Sequence, residues 1–233
     1  MRRTIAIAVL LLESMTMMSS HAATITVTNT NDSGPGSLRQ ALAVAHDGDR
    51  ITFAVRGTIT LTSGALVVAK NVTISGPGAD HLSIVGIQFQ SVFSVGAATI
   101  SGLTIRDGAV GINGGMLTVM NCVISGNSRS GIENGSSLTV VNSNISDNHT
   151  GIFNITGELG VVTATILSTT VSGNSAGGVV AAPHFFGGRA YITMIDCTIS
   201  GKLHRHTSQC NNMRRNRKHS TELYRSCRWN VHY

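Results

Sequence analysis

Leu117-Thr-Val-Met-Asn-Cys-Val-Ile-Ser-Gly-Asn127 is followed by a near copy, Leu138-Thr-Val-Val-Asn-Ser-Asn-Ile-Ser-Asp-Asn148. Two further copies read Ile166-Leu-Ser-Thr-Thr-Val-Ser-Gly-Asn174 and Ile192-Thr-Met-Ile-Asp-Cys-Thr-Ile-Ser-Gly201. Their aligned apolar anchors, Ile124, Ile145, Val171 and Ile199, are spaced 21, 26 and 28 residues apart. A looser copy, Ser101-Gly-Leu-Thr-Ile105, precedes them by 19 residues. Self-similarity at such a period marks a solenoid, in which each repeat buries its apolar face against its neighbours.

The pattern inside one repeat selects the solenoid. Leu117-Thr-Val119 and Leu138-Thr-Val140 alternate apolar and polar residues, the period of a strand with one buried face. Val, Ile and Thr dominate, Gly or Asn interrupts, and no stripe of helical period runs through the repeats. Two or three short strands in each repeat make one coil of a right-handed parallel β-helix, an all-β fold whose like residues stack about 4.8 Å apart. Asn121 and Asn142 share one repeat position; Asn127, Asn148 and Asn174 share another. Asn accepts the left-handed backbone of tight corners, and stacked amides hydrogen-bond from coil to coil. Glycosylation-like triplets at Asn31, Asn71, Asn134, Asn144, Asn148 and Asn154 are read as the same corner chemistry beside β-forming Thr and Ser.

Residues 1–22 read as an export signal: Arg2 and Arg3, an apolar run from Ile5 to Leu12, and small residues at Ser20 and Ala22. No later stretch is long and apolar enough for a membrane-spanning helix. Residues 23–56 form an N-terminal cap and first strands. Thr24-Ile-Thr-Val-Thr28 is a strand, and Ser37 caps a short helix through Ala45 with Leu38 and Leu42 on one face. Such a helix covers the first coil. Residues 57–201 are the repeats.

Gly36-Ser-Leu-Arg-Gln-Ala41, set between Thr26-Val-Thr28 and Asp49-Arg-Ile-Thr-Phe53, resembles the Cys-Ser-Leu-Arg-Glu-Ala domain of secreted bacterial β-helix proteins, the polymorphic outer-membrane and autotransporter-passenger kind. Gly36 stands in place of the cysteine and Gln40 in place of the glutamate. Val72-Thr-Ile-Ser-Gly-Pro-Gly78 and the Asn-x-x-Ile-Ser repeats extend the resemblance, which covers roughly residues 24–201. It implies this fold and export to the cell surface or beyond; it implies no activity.

At residue 202 the pattern stops inside a repeat. Residues 202–233 hold eight Lys or Arg against Glu222 alone, a charge of +7, so the +6 of the whole chain comes from this tail. The reading adopted is a frame-shifted or disordered end that leaves the last coil open to self-association, and the basic charge is not taken as a sign of nucleic-acid binding. Cys122 and Cys197 share a repeat position three coils apart, about 14 Å by stacking, which is too far for a disulfide. Cys210 and Cys227 lack the spacing of zinc ligands, and His204, His206 and Cys210 in the tail make only a weak metal signal.

No cofactor and no catalytic residue is nominated. Polygalacturonase-like Gly-His-Gly and Arg-Ile-Lys segments are absent. The acidic residues that a pectate-lyase-like calcium site would need, Asp107, Glu133, Asp147, Glu158 and Asp196, are scattered and fall at different repeat positions. Asp107 beside Arg106 is the best single acid, and a turn-capping role suits it better. The loop Ala181-Ala-Pro-His-Phe-Phe-Gly-Gly-Arg189 places His184, Phe185, Phe186 and Arg189 together, where rings stack on sugars and the Arg pairs with an acidic group; packing of both rings on the coil beneath is the competing reading. The function expected is an adhesion or binding protein directed to a polysaccharide or cell-surface glycan. The alternative is a β-helix polysaccharide lyase or glycoside hydrolase, or an inactive remnant of one.

Overall fold

The structure, a computed structural model, describes residues 22–155, 160–182 and 189–200, together with the strand backbones 208–216 and 221–232. The chain begins with β1 (Thr24–Val27), α1 (Leu38–Val44), β2 (Arg50–Phe53), β3 (Gly57–Thr60), β4 (Leu66–Val68), β5 (Val72–Ser75) and β6 (Leu82–Val85). Three long, bent strands then alternate with short ones: β7 (Ser91–Ser101), β8 (Thr104–Arg106), β9 (Val110–Met120), β10 (Val123–Ser125) and β11 (Ser130–Val141). The last coils hold β12 (Asn144–Ser146), β13 (Thr150–Ile155), β14 (Val161–Leu167), β15 (Thr170–Ser172), β16 (Gly177–Ala182), β17 (Arg189–Ile195) and β18 (Cys197–Ser200). β19 (Ser208–Asn216) and β20 (Thr221–His232) follow.

The coils wind into a three-sided prism of parallel sheets. Sheet A stacks β1, β2, β5, the second halves of β7, β9 and β11, then β14 and β17. Sheet B stacks β3, β6, β8, β10, β12, β15 and β18, one strand for each of seven coils. Sheet C stacks β4, the first halves of β7, β9 and β11, then β13 and β16.

The repeat anchors are the inward column of sheet B: Ile59, Ile84, Ile105, Ile124, Ile145, Val171 and Ile199 pair rung to rung, and none is more than 1% exposed. Ile51, Ile74, Ile100, Val119, Val140, Ile166 and Met194 form the facing column of sheet A. Each such side chain contributes about 1.5–3 kcal/mol of burial, so the stack is held by many equal increments.

Two kinds of corner join the sheets. Between A and B the left-handed position is taken by Gly102, Asn121, Asn142, Ser168 and Asp196, with φ of 63°, 52°, 47°, 47° and 52°. Asn142 Nδ2 donates to Asn121 Oδ1 at 2.6 Å, as stacked amides should. Between B and C the left-handed residues are Asp107, Gly126, Asp147 and Gly173. Asn127, Asn148 and Asn174 come one residue later. They are not left-handed but turned inward and buried, forming a ladder in which each Nδ2 reaches the next Oδ1 (2.9 and 3.1 Å). A second buried amide pair, Asn134 to Asn154 at 2.9 Å, sits farther along sheet C.

Ser37 caps α1 by accepting from the Gln40 amide, and Leu38, Ala41 and Leu42 are buried, so the expected cap is present. Asp32 ties the cap to the first coil: it accepts from Arg39 Nη2 (2.6 Å) and from the amides of Thr62 (3.1 Å) and Ser63 (2.9 Å). Burial alone would raise its carboxyl, but the hydrogen bonds from Ser63, Arg39 and Thr62 outweigh that and hold it well below the ordinary carboxylate range.

The other end departs from the expectation of an open coil. β20 runs antiparallel along β17 (Ala190 opposite Val231) and β18 (Thr198 opposite Leu223), with β19 on its far side. Antiparallel pairing needs only extended backbone and no repeat phrase, so a non-repeating segment can occupy an edge that the solenoid pattern cannot extend. Among the described residues no helix is long and apolar enough to cross a membrane.

Candidate functional site

The corner between sheets B and C carries Phe89, Asp107, Arg129, Asp147 and His149, with Arg106 at its entry. Because β8, β10, β12 and β15 are in register, as are the strands of sheet C, each corner can be compared rung by rung. Arg106 opens the corner in the third coil and pairs with Asp107. In the fourth coil Arg129 precedes Ser130, and in the fifth His149 precedes Thr150; Ser130 and Thr150 are register partners, so Arg129 and His149 stand in successive rungs.

Arg129 is the most firmly held of these groups. Its Nε and Nη2 donate to Glu133 Oε1 and Oε2, both at 2.7 Å, a bidentate pair across the outer face of sheet C. The Glu133 side chain is 7% exposed while that of Arg129 is 66% exposed, so a covered carboxylate anchors a guanidinium that faces water. Removing Glu133 would free the guanidinium; removing Arg129 would leave a covered carboxylate without its partner. Asn113 and Phe153 flank Glu133 in the rungs on either side. One rung on, His149 Nδ1 lies 3.1 Å from Ser175 Oγ of the following coil. The edge thus offers an anchored cation, a second Arg and an imidazole that can carry a proton.

Asp107 and Asp147 occupy one corner position, two coils apart, with Gly126 between them and Gly173 beyond. Their expected difference in repeat position is corrected: the strand register aligns Ile105 with Ile145, and each Asp stands two residues after its anchor. Each carboxylate leans over the next glycine; a Cβ built on Gly126 would lie 2.8 Å from Asp107 Oδ1, so that glycine makes room for the acid. Asp196 belongs to the other corner, with Asn121 and Asn142. Among the described residues no three of His, Cys, Asp and Glu come together, so these acids do not assemble a calcium-type donor set.

Of the predicted ligand loop, His184, Phe185 and Phe186 lie outside the described residues, as does Glu158. Arg189 opens β17, exposed, opposite Val161 in the preceding coil. It is on sheet A, away from the B–C corner. Phe89, Arg129, Glu133 and His149 are what sequence reasoning missed or left unassembled. The phrase Ser/Thr-Gly-Ile at Ser130-Gly-Ile132 and Thr150-Gly-Ile152 was the signal that places Arg129 and His149 together. Along the A–B corner, Asn121, Asn142, Asn144, Ser168 and Thr170 line a shallow depression of about 390 Å³, polar and without a charged group among those residues.

No protein-family model matches the chain. Three curated proteins are similar to it: the probable pectate lyase C of Aspergillus terreus, 34% identical over 160 residues, and those of Aspergillus flavus and Aspergillus oryzae, each 32% identical over 159 residues. The match takes in 66% of this chain and 34% of each relative, so the chain spans about a third of the relatives' length. Among solved structures, the crystal structure of pectate lyase Pel9A is 17% identical with a TM-score of 0.48, over 67% of this chain and 55% of that one. The expectation of an adhesion protein is corrected by the three curated relatives: they carry the name of a polysaccharide-cleaving lyase, which favours the alternative reading.

Proposed function

We propose that the chain is the coil region of a secreted polysaccharide lyase acting on an acidic, uronate-containing polymer. The observation that carries this reading is the 34% identity over 160 residues with a protein named probable pectate lyase C. The B–C corner supports it chemically. β-Elimination moves the proton from the carbon beside the uronate carboxylate to a base, forms a carbon–carbon double bond, and breaks the neighbouring bond to the glycosidic oxygen, which leaves with its electron pair. Charge builds on the carboxylate as the proton departs, so a fixed cation aimed at it lowers the barrier. Arg129, anchored on Glu133 and open to water, fits that task. His149, in the next rung, is the group placed to exchange a proton.

Export accords with such a substrate, which lies outside the cell, and residues 1–22 carry the signal for it. Incubation of the full chain with polygalacturonate and with alginate tests the reading. Appearance of the ultraviolet absorbance of unsaturated chain ends on either polymer is the expected result; unchanged polymer in both, with the chain folded, would overturn it.

A further inference from the structure

The coil that precedes Arg106 carries a feature the proposed reaction does not use. Val85 pairs with Arg106, and Ser91 pairs with Val110, so residues 86–90 span in the second coil what residues 107–109 span in the third. Five residues against three leave two extra, and the excess is pushed outward. The ends of this bulge are fastened: the Gly86 amide donates to Arg106 O at 2.8 Å, and the Ala109 amide donates to Gln90 O at 2.8 Å. A third bond, Gln90 N to Ile87 O at 3.1 Å, closes the bulge on itself.

At its crest stands Phe89, 90% exposed and with φ of 67°. Both properties run against ordinary packing. A large apolar ring in water gains nothing from the hydrophobic effect, and a bulky L-residue in the left-handed region is strained. The other non-glycine residues with positive φ among the described residues are Asp, Asn or Ser, which tolerate that backbone; the Phe89 ring has no polar atom to hydrogen-bond locally and no burial to offset the cost. Strain kept at an exposed aromatic is the mark of a contact site.

We propose that Phe89 and Arg106 form a sugar-binding subsite of this edge, taking one uronate residue of an acidic oligosaccharide. The C–H face of the pyranose lies on the ring, and its carboxylate meets the guanidinium. Val85, just before the bulge, is paired with Arg106, so the bulge rises beside that Arg in the adjoining rung. Nη1 of Arg106 is the atom engaged with Asp107, and the rest of the fork is available to a second carboxylate. Arg129 lies one coil beyond Arg106, so the subsite and the anchored cation follow the same edge at a spacing of about 4.8 Å per coil. The polymer then runs along the solenoid axis, and Phe89 holds the end away from His149. This assignment rests on the acidic-polymer reading above, but not on turnover.

The test is calorimetric binding of the full chain to an oligogalacturonate, with a neutral xylo-oligosaccharide beside it, and urea unfolding of each variant. Phe89→Gly removes the ring and relieves the left-handed strain; its unfolding midpoint is expected to match or exceed that of the parent chain while affinity falls roughly two- to tenfold. Phe89→Leu should lose the same affinity, Phe89→Tyr should keep it, and Arg106→Gln should lose the preference for the acidic over the neutral oligosaccharide. Parent-like affinity in Phe89→Gly, or absence of oligogalacturonate binding by the parent chain, would overturn the subsite. A loss of stability in Phe89→Gly would show that the ring packs, and would overturn it too. Weakened binding in Phe89→Gly without any turnover by the parent would keep the subsite while the lyase reading fails.

Discussion

Asn148 occupies the space that a side chain at Gly131 would need. A Cβ built on Gly131 would lie 3.0 Å from Asn148 Nδ2, 2.8 Å from Ile145 Cγ2 and 2.7 Å from the Gly151 carbonyl oxygen. The same relationship recurs one coil earlier between Gly111 and Asn127 and one coil later between Gly151 and Asn174. The buried amide ladder and the glycine column of sheet C are therefore one device: inward Asn side chains satisfy the corner backbone, and glycine lets them pass. Asn148 Nδ2 reaches Ile124 O at 3.1 Å and Ser146 O at 3.0 Å, while its Oδ1 accepts from the Asn127 amide at 3.0 Å.

Gly131→Ala is accordingly expected to destabilise the solenoid by about 1–3 kcal/mol, because the contacts to be relieved include backbone rather than a flexible side-chain tip. Gly96→Ala, whose new methyl would meet nothing nearer than Val68 O at 3.8 Å, is expected to be neutral or mildly stabilising. Urea denaturation of the two variants against the parent measures the difference. Equal midpoints would show that the amide ladder yields freely.

Ile145→Asp should unfold the chain, since a carboxylate in the fully buried column between Ile124 and Val171 would have no partner. Asp147→Ala, two residues away, should cost about 1 kcal/mol or less, the strain of an alanine in a left-handed corner. Circular dichroism of the β signal with heating compares them. Similar losses in both would contradict the inward and outward assignment.

How much of this was legible beforehand differs from residue to residue. Ile124, Ile145, Val171 and Ile199 could be aligned by eye, because each sits in a repeated phrase and inward strand positions admit little variation. Asp107 and Asp147 share that alignment, each two residues after its anchor, Ile105 and Ile145. Arg129 and His149 do not: the corner between sheets B and C holds four residues in the coil of Arg129 and three in that of His149, so they stand five and four residues after their anchors. Phe89 lies in a bulge without any repeat phrase, and its exposure follows from the strand register on both sides. Arg129 and Glu133 are four apart in sequence, a spacing that signals a pair on a helix; here the long Arg129 side chain reaches from the corner along β11 to Glu133. The tail was read by its failure to repeat, which carries no information on antiparallel pairing.

Cys122 and Cys197 occupy one column with Ser143 and Thr169 between them, both as free, buried thiols. Burial pushes the Cys122 thiol up to about 11 and raises that of Cys197 as well. Neither should react with a thiol reagent at neutral or mildly alkaline pH until the chain unfolds. Mass spectrometry of native and urea-treated protein after alkylation checks this; rapid native labelling of Cys122 would place it at the surface.

Acid should loosen the N-terminal cap first. The Asp32 carboxyl is held below its ordinary range in the folded chain, so its contribution is complete above about pH 4, where the unfolded chain is also ionised, and is lost progressively as pH falls below that. Asp32→Asn should remove this part of the pH dependence and lower stability at neutral pH. Urea midpoints between pH 3 and pH 7 for parent and variant report it. Parallel curves would mean that Asp32 does not link the cap to the first coil.

The central claim is that this edge of the solenoid serves elimination chemistry on an acidic polysaccharide, and mass spectrometry of the products formed from a defined oligogalacturonate tests it most directly. Elimination splits the chain without adding water, so the masses of the two fragments sum to that of the substrate and one of them carries a double bond. The account predicts that pattern for the parent chain and a reduced yield, by about tenfold or more, for Arg129→Ala. Fragments whose masses sum to the substrate plus one water would show a hydrolase instead, and an intact oligosaccharide bound by the folded chain without cleavage would contradict the claim.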